Sequence, residues 1–232
     1  MEYLAKALYS ALRLIFGFDS ETYLIVWTSL KVSLSATFFS SVIGIPIGLF
    51  VSLKDFKGKK LIQLILNTLM ALPTVVVGLF FYAFLSRQGI LGSLGLLYTP
   101  YGIIIGETFL ALPIIANYTV SSVSGADKRL LVTCKALGAT TSQQAVIILM
   151  EAKFGIIAAV VAGFGRVIAE VGVAMMLGGN IRGFTRTMTT AIALQTSKGE
   201  FELGLALGIM LLATAFAINI MLFFFQKNSK NE

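Results

Sequence analysis

Five stretches of this chain, at about residues 23–53, 61–85, 101–123, 153–177 and 203–225, each run for more than twenty residues with almost no charge. About 20 apolar residues carry a helix across the hydrocarbon core of a bilayer. Inside that core a chain has no water to bond to, so a lone segment must satisfy its own N–H and C=O groups, which a helix does. The spacing predicts an all-α integral membrane protein with five transmembrane helices. Composition agrees: 12% of the 232 residues are charged, about half of the roughly 25% of a soluble domain. The net charge of +7 then reads as an orientation signal and not as a nucleic-acid footprint. The chain has no His and a single Cys134, which excludes His-based catalysis and metal sites of the Cys/His type.

Residues 2–17 read as an amphipathic helix, with Leu4, Leu8, Ala11, Leu12 and Ile15 on one face and Lys6, Ser10 and Arg13 on another. It is too polar to span and is expected to lie in the interface. With Glu2 and these charges, residues 1–18 do not resemble a cleaved signal. The whole chain, 1–232, reads as one transmembrane domain. Residues 1–20 hold the interfacial helix, 23–225 the five-helix core with a polar loop at 124–152, and 226–232 a tail. Gly17 ends the first helix and Asp19 supplies the next cap. Tyr23 and Trp27 are interfacial anchors, and Pro46, Pro73 and Pro113 are expected to kink spans that continue past them. Loops 54–60 and 124–153 and the tail carry ten Lys/Arg, against six on the other side. The positive-inside bias predicts a plasma-membrane protein with its N-terminus outside and its C-terminus and the 124–152 loop in the cytoplasm.

That loop holds the only long run of mixed polarity, LLVTCKALGATTSQQAVIILME at 130–151. Its pattern predicts a short helix, a turn at Gly138 and a second short helix capped by Thr140 or Thr141. Such a turn is either a docking surface for a soluble partner or an ordinary interfacial loop. Three charges fall inside spans: Glu107 ~9 Å from the outer end of its span, Arg166 ~22 Å from the inner end of its own, and Glu170 one turn further out at 1.5 Å per residue. Arg166 and Glu170, four apart, are placed to pair, with Glu107 a second candidate partner. The group is either a structural ion-pair cluster or a gate or pore-wall element. Three GxxxG pairs, Gly44/Gly48, Gly102/Gly106 and Gly204/Gly208, read as packing contacts. Residues 178–199 combine Asn180, Arg182 and Arg186 with a run of hydroxyls. That set suits an external contact to an oxyanion or to a binding protein, and equally a plain loop.

The 130–151 stretch resembles the cytoplasmic coupling motif of bacterial ABC importer permeases, the pattern EAA, three residues, Gly, nine residues, I-x-L-P. Gly138 stands for its Gly, Leu137 and Ala139 for its flanks and Ile148 for its Ile, while Val132-Thr133-Cys134 replaces EAA and Met150-Glu151 replaces Leu-Pro. The run RVIAEVGVAMMLGGNIRGFTRTMTTAIALQTSKGEF at 166–201 is similar to oxyanion permeases, the tungstate-uptake subgroup above all. The resemblance implies a type I ABC importer permease fold, with Lys135, Ala136, Leu137, Gly138, Ala139 and Thr140 coupling to an ATPase. It implies import of tungstate or a related oxyanion by alternating access, with a binding protein delivering the substrate; molybdate, sulfate and phosphate are alternatives. No G-x-x-x-x-G-K-[ST] occurs, so the chain binds no cofactor, and ATP and magnesium belong on a separate ATPase dimer. Five spans make a poor pore alone, so a homodimer with the path on its twofold axis is expected. The rival class, an intramembrane enzyme, lacks any paired carboxylates or nucleophile–base spacing to carry it.

Overall fold

A computed structural model describes residues 2–17 and 19–228, and it is helical with no strand among them. α1 (Glu2–Phe16) is followed by α2 (Ser20–Leu53). Asp19 caps α2, its carboxylate accepting from Thr22 N at 2.8 Å and Thr22 Oγ1 at 2.6 Å. Those bonds hold the Asp19 carboxyl below its ordinary range. α1 packs along the last helix, α11 (Phe201–Asn228). The side chains of Leu4, Ala11 and Ile15, which the amphipathic reading used, lie outside the described residues, as do residues 229–232 of the tail.

α2 and α5 (Pro100–Ser124) form the central pair. α5 begins with Pro100 in its first turn, and Thr99 Oγ1 accepts from Gly102 N at 3.3 Å. The pair is close because α2 presents glycine: a Cβ at Gly48 would lie 2.6 Å from Thr119 Cβ and 2.7 Å from Ala116 O, and one at Gly44 3.2 Å from Leu112 O. Ser40 Oγ donates to Thr108 O at 2.9 Å and Ser52 Oγ to Val120 O at 3.1 Å, tying the helices by hydrogen bonds where water is absent. Both helices continue through their prolines, Pro46 and Pro113.

The stretch at 61–85 is not one kinked helix. α3 (Lys59–Met70) and α4 (Thr74–Leu85) meet at 100°. Pro73 has no N–H and holds an extended backbone at φ −62°, ψ 126°, so it ends α3 and opens α4. The stretch at 153–177 is also broken. α8 (Lys153–Ile168) stops, three residues intervene, and α9 (Gly172–Gly178) resumes. The two breaks are neighbours: a Cβ at Gly172 would stand 2.8 Å from Thr74 Oγ1, and one at Gly78 3.0 Å from Met176 Sδ. The polar loop carries α6 (Lys128–Ala136) and α7 (Thr141–Glu151), with α7 bent 74° from α8. α2, α5 and residues 201–220 of α11 are each long and apolar enough to cross a membrane alone; the bent pairs α3/α4 and α7/α8 bring the number to five if each is one crossing.

The 178–199 segment is not a surface loop throughout. Residues 180–187 turn back inward until Met188 N reaches Ser29 Oγ at 2.7 Å, and α10 (Met188–Ser197) then runs antiparallel to α2 towards its start. Ile25, Phe164, Ile168, Met188, Ala191 and Leu207 close a core around it. Of the three glycine pairs, Gly106 packs on Val173 and Leu177 and Gly102 on Leu96 O, whereas a Cβ at Gly208 meets nothing within 4 Å.

The glycines therefore separate by experiment. Gly48→Leu should abolish recovery of a monodisperse protein, because it drives α2 off α5, while Gly208→Leu should be recovered at the parent yield. Size-exclusion profiles of the two variants check this.

Candidate functional site

The elbow of α6 and α7 is built by local chemistry. Leu137 N donates to Thr133 O at 3.0 Å and Ala139 N to Cys134 O at 2.9 Å, closing α6 around Gly138 at φ +74°. Thr140 then caps α7 in a reciprocal box: Gln143 N donates to Thr140 Oγ1 at 3.4 Å, and Thr140 N to Gln143 Oε1 at 2.8 Å. Gln144 Nε2 adds a bond to Ala139 O at 2.7 Å. A Cβ at Gly138 would meet nothing within 4 Å, so the turn needs glycine for its left-handed backbone and not for space inside the chain. Leu137 is 81% exposed and Val132 and Met150 are each 67% exposed. Leu137 and Val146 help line an open groove of about 640 Å³ beside Gly138. Ile148 is buried against Leu49, Val123, Ala152 and Ile156 and anchors the elbow to the bundle. The elbow thus faces outward with apolar side chains while rooted firmly behind. Ala136 and Thr140 are exposed beside it; the side chain of Lys135 lies outside the described residues.

At the break after α8, Arg166 Nη1 bonds Glu170 Oε2 at 2.7 Å, as the spacing implied. Glu170 Oε1 accepts from Val173 N at 3.2 Å, and Thr189 Oγ1 donates to Glu170 O at 2.7 Å. Glu107 is 2% exposed, and its Oε2 has no hydrogen-bond partner among the described residues. The structure therefore gives Arg166 to Glu170 and not to Glu107.

At the end of the bundle away from the elbow, Arg182 and Arg186 converge on one acid. Arg182 Nε donates to Glu21 Oε1 at 2.8 Å and Nη2 pairs with Oε2; Arg186 Nη1 reaches Glu21 Oε1 at 3.5 Å. The Glu21 carboxylate strengthens the hold of the Arg182 guanidinium on its proton. Arg186 Nε also donates to Asn180 Oδ1 at 3.1 Å, with Asn180 in a left-handed turn at φ +51°. Sequence reading used the 19–21 acids only for the helix cap; the Glu21 clamp spans 161 positions and has no local signature. Thr185, Thr187, Thr189 and Thr190 are buried, with hydroxyls engaged by Ile181 N, Glu170 O and one another, so they are not the open donors expected of that run.

Three helices able to cross a membrane, or five if each bent pair is one crossing, with an exposed apolar elbow at one end, are the build of the membrane-spanning component of an ABC importer. Residues 44–230 match the family described as the binding-protein-dependent transport system inner membrane component, and the chain belongs to it. It is 38% identical over 227 residues to the tungstate uptake system permease protein TupB of Peptoclostridium acidaminophilum, covering 98% of this chain and 100% of the relative. It is 41% identical over 207 residues to a probable anion ABC transporter permease protein of Haloferax volcanii, covering 86% and 89% of the two. A chain of the MetNI methionine ABC transporter, seen in inward-facing conformations, shares the fold with a TM-score of 0.75 at 20% identity, covering 90% of this chain and 98% of that one. The chain is thus a multi-pass inner-membrane permease and not itself an ATPase. Family membership implies an ATPase and a periplasmic binding protein as partners.

Two outcomes follow for the site. Gly138→Asp should leave the chain inserted but release the ATPase or uncouple hydrolysis from uptake; any L-residue there costs ~1 kcal/mol of backbone strain, and Thr140→Ala costs about as much by loss of the cap. Co-purification of the ATPase reads both. Arg166→Ala should destabilise the chain by about 3 kcal/mol, because it strands Glu170, while Glu107→Gln, which breaks no bond, should leave the thermal midpoint near that of the parent.

Proposed function

We propose that this chain is the permease of an importer for tungstate or a related tetrahedral oxyanion, working as a homodimer with the elbow in the cytoplasm and α2 starting outside. The substrate reading is carried by the full-length similarity to a tungstate permease and to an anion permease. The orientation rests on the ten-to-six bias of Lys and Arg.

The geometry supports alternating access. The elbow is fixed to the core by Ile148 and passes into α8 through a 74° bend at Ala152. A thrust on the elbow from ATP-driven closure of the ATPase, with ATP and magnesium held on that partner, is delivered along α8. Its far end carries Arg166 and the break, beyond which α9 leans on α4. Motion at one end is therefore applied where two helices are already interrupted, which is where a bundle yields at least cost. Asn180, Arg182 and Arg186 cap the outer end, where a binding protein would release the anion.

Uptake of labelled tungstate into proteoliposomes holding permease, ATPase and binding protein tests the reading, with molybdate, sulfate and phosphate as competitors. Tungstate should be taken up and compete best; uptake of none of the four would end it. The same assay separates two roles of the arginines. If they meet the anion, Arg182→Ala with Arg186→Ala should cut uptake while Glu21→Gln, which frees them, preserves it. Equal loss in both would reduce them to a clamp on α2.

A further inference from the structure

Arg87 differs from the other arginines at the outer end. Arg182 and Arg186 hold Glu21, whereas the Arg87 side chain has no ion pair or hydrogen bond among the described residues. It is the one charged residue between Lys60 and Glu107, so no acid nearby in the chain offsets it. It opens onto a cavity of about 650 Å³ between the end of α4 and the loop that leads to α5, with Ser86, Gln88, Tyr82 and Tyr98 on its walls and no carboxylate among its lining residues.

Tyr98 is placed there against its backbone preference. Its φ is +61°, a region bulky residues avoid. Its N–H is tied to Leu177 O at 2.7 Å. Its ring fills the space beside Gly179, where a Cβ would come within 2.8 Å of Tyr98 Cδ1. The Tyr98 and Tyr82 hydroxyls stand 3.5 Å apart. On the other side of the same two rings lies an open groove of about 520 Å³, lined by Met175, Met176, Gly179 and Ile181. Met176 packs on Gly78 of α4, one turn beyond the paired helix breaks. The two tyrosines thus stand between the Arg87 cavity and an open groove beside Ile181.

We propose that the Arg87 cavity is an anion-receiving site, which takes a tetrahedral oxyanion from the outer side beside the Tyr82–Tyr98 pair. The proposal rests on the oxyanion reading above for the identity of the substrate. A fully deprotonated oxyanion accepts hydrogen bonds and donates none. Every polar side chain here can donate: the guanidinium of Arg87, the hydroxyl of Ser86, the amide of Gln88 and two phenols. The volume leaves room for the anion with part of its hydration shell, so the site can receive without binding tightly, as a passage requires.

The test uses Ser86→Cys in a Cys134→Ser chain, assembled with its ATPase in proteoliposomes, and compares labelling by thiol reagents carrying a sulfonate or a trimethylammonium group. The sulfonate reagent should react about tenfold faster, tungstate or molybdate should slow it, and Arg87→Gln should remove both effects. A charge preference that survives Arg87→Gln, or labelling that neither anion slows, overturns the site. In parallel, Arg87→Gln should lower uptake about tenfold with the ATPase still bound and the binding protein still docking. Uptake at the parent rate overturns the proposal, and so does a loss explained by failure of the binding protein to dock, which would make that protein the occupant of the cavity. If the parent complex imports no oxyanion, the substrate reading falls, while the labelling rates still decide whether Arg87 gathers anions.

Discussion

Glu170 stands where the bundle is most open to failure, at the gap between α8 and α9, and it satisfies that gap from four directions. Its N–H donates to Val167 O at 3.0 Å, its carbonyl accepts from Thr189, and its carboxylate takes Arg166 and the free Val173 N–H. In hydrocarbon each loose backbone group costs several kcal/mol, so a break can exist there only if side chains replace the lost helical bonds. The neighbouring break at Pro73 solves the same problem more simply, since proline has no N–H to lose, and Ala71 and Leu72 bond back to Thr68 O and Leu69 O. With both interruptions side by side, the bundle has a seam in place of two continuous rods.

On the coupling role proposed for the elbow, that seam is what it would move. A stiff rod rooted at Ile148 would carry a push from one side of the membrane to the other as rigid translation, opposed by all of its packing. A rod that ends at Ala169 can tilt against α9, and α9 against α4, with the central α2/α5 pair left as the fixed frame. α2 and α5 are held by the close approach that Gly48 permits and by serine hydroxyls bonded to facing carbonyls. α9 is packed through Val173 and Leu177 into the core with Val77, Leu85 and Leu110, and the break before it is closed by the Arg166–Glu170 pair and Thr189.

The crossings, the elbow and its caps were legible in the sequence because each is written locally. Apolar length specifies a span, a Thr after the turn specifies a cap, and Gly138 between two short helices specifies the left-handed turn. The i, i+4 spacing of Arg166 and Glu170 likewise showed their pairing. The breaks were not legible, because Pro46, Pro73 and Pro113 look alike in an apolar run. What separates them is the helix around them: Pro46 and Pro113 lie within α2 and α5, the closely packed central pair, and stay helical, whereas Pro73 lies between two short helices. α10 was hidden for the opposite reason, since its Thr-rich start reads as loop until Ser29 and the Thr187 cap supply partners. Glu21 with Arg182, and Tyr98 with Leu177, are long-range pairings that no spacing rule reaches.

These long-range pairings alter how the outer end works electrically. Counting positive residues there suggested a basic rim at Arg182 and Arg186, yet Glu21 and the nearby Asp19 bring the charge of that group to zero. A neutral clamp fixes the start of α2 to the loop before α10, but it exerts little pull on an anion beyond a Debye length of about 8 Å at physiological ionic strength. An unpaired cation at the mouth of a cleft behaves differently, because no carboxylate cancels its field. Arg87, isolated in a charge-free stretch and set at the mouth of a cavity, is in that position. The attraction of an anion to the outer face then depends less on how many arginines lie there than on which of them have been left without a carboxylate.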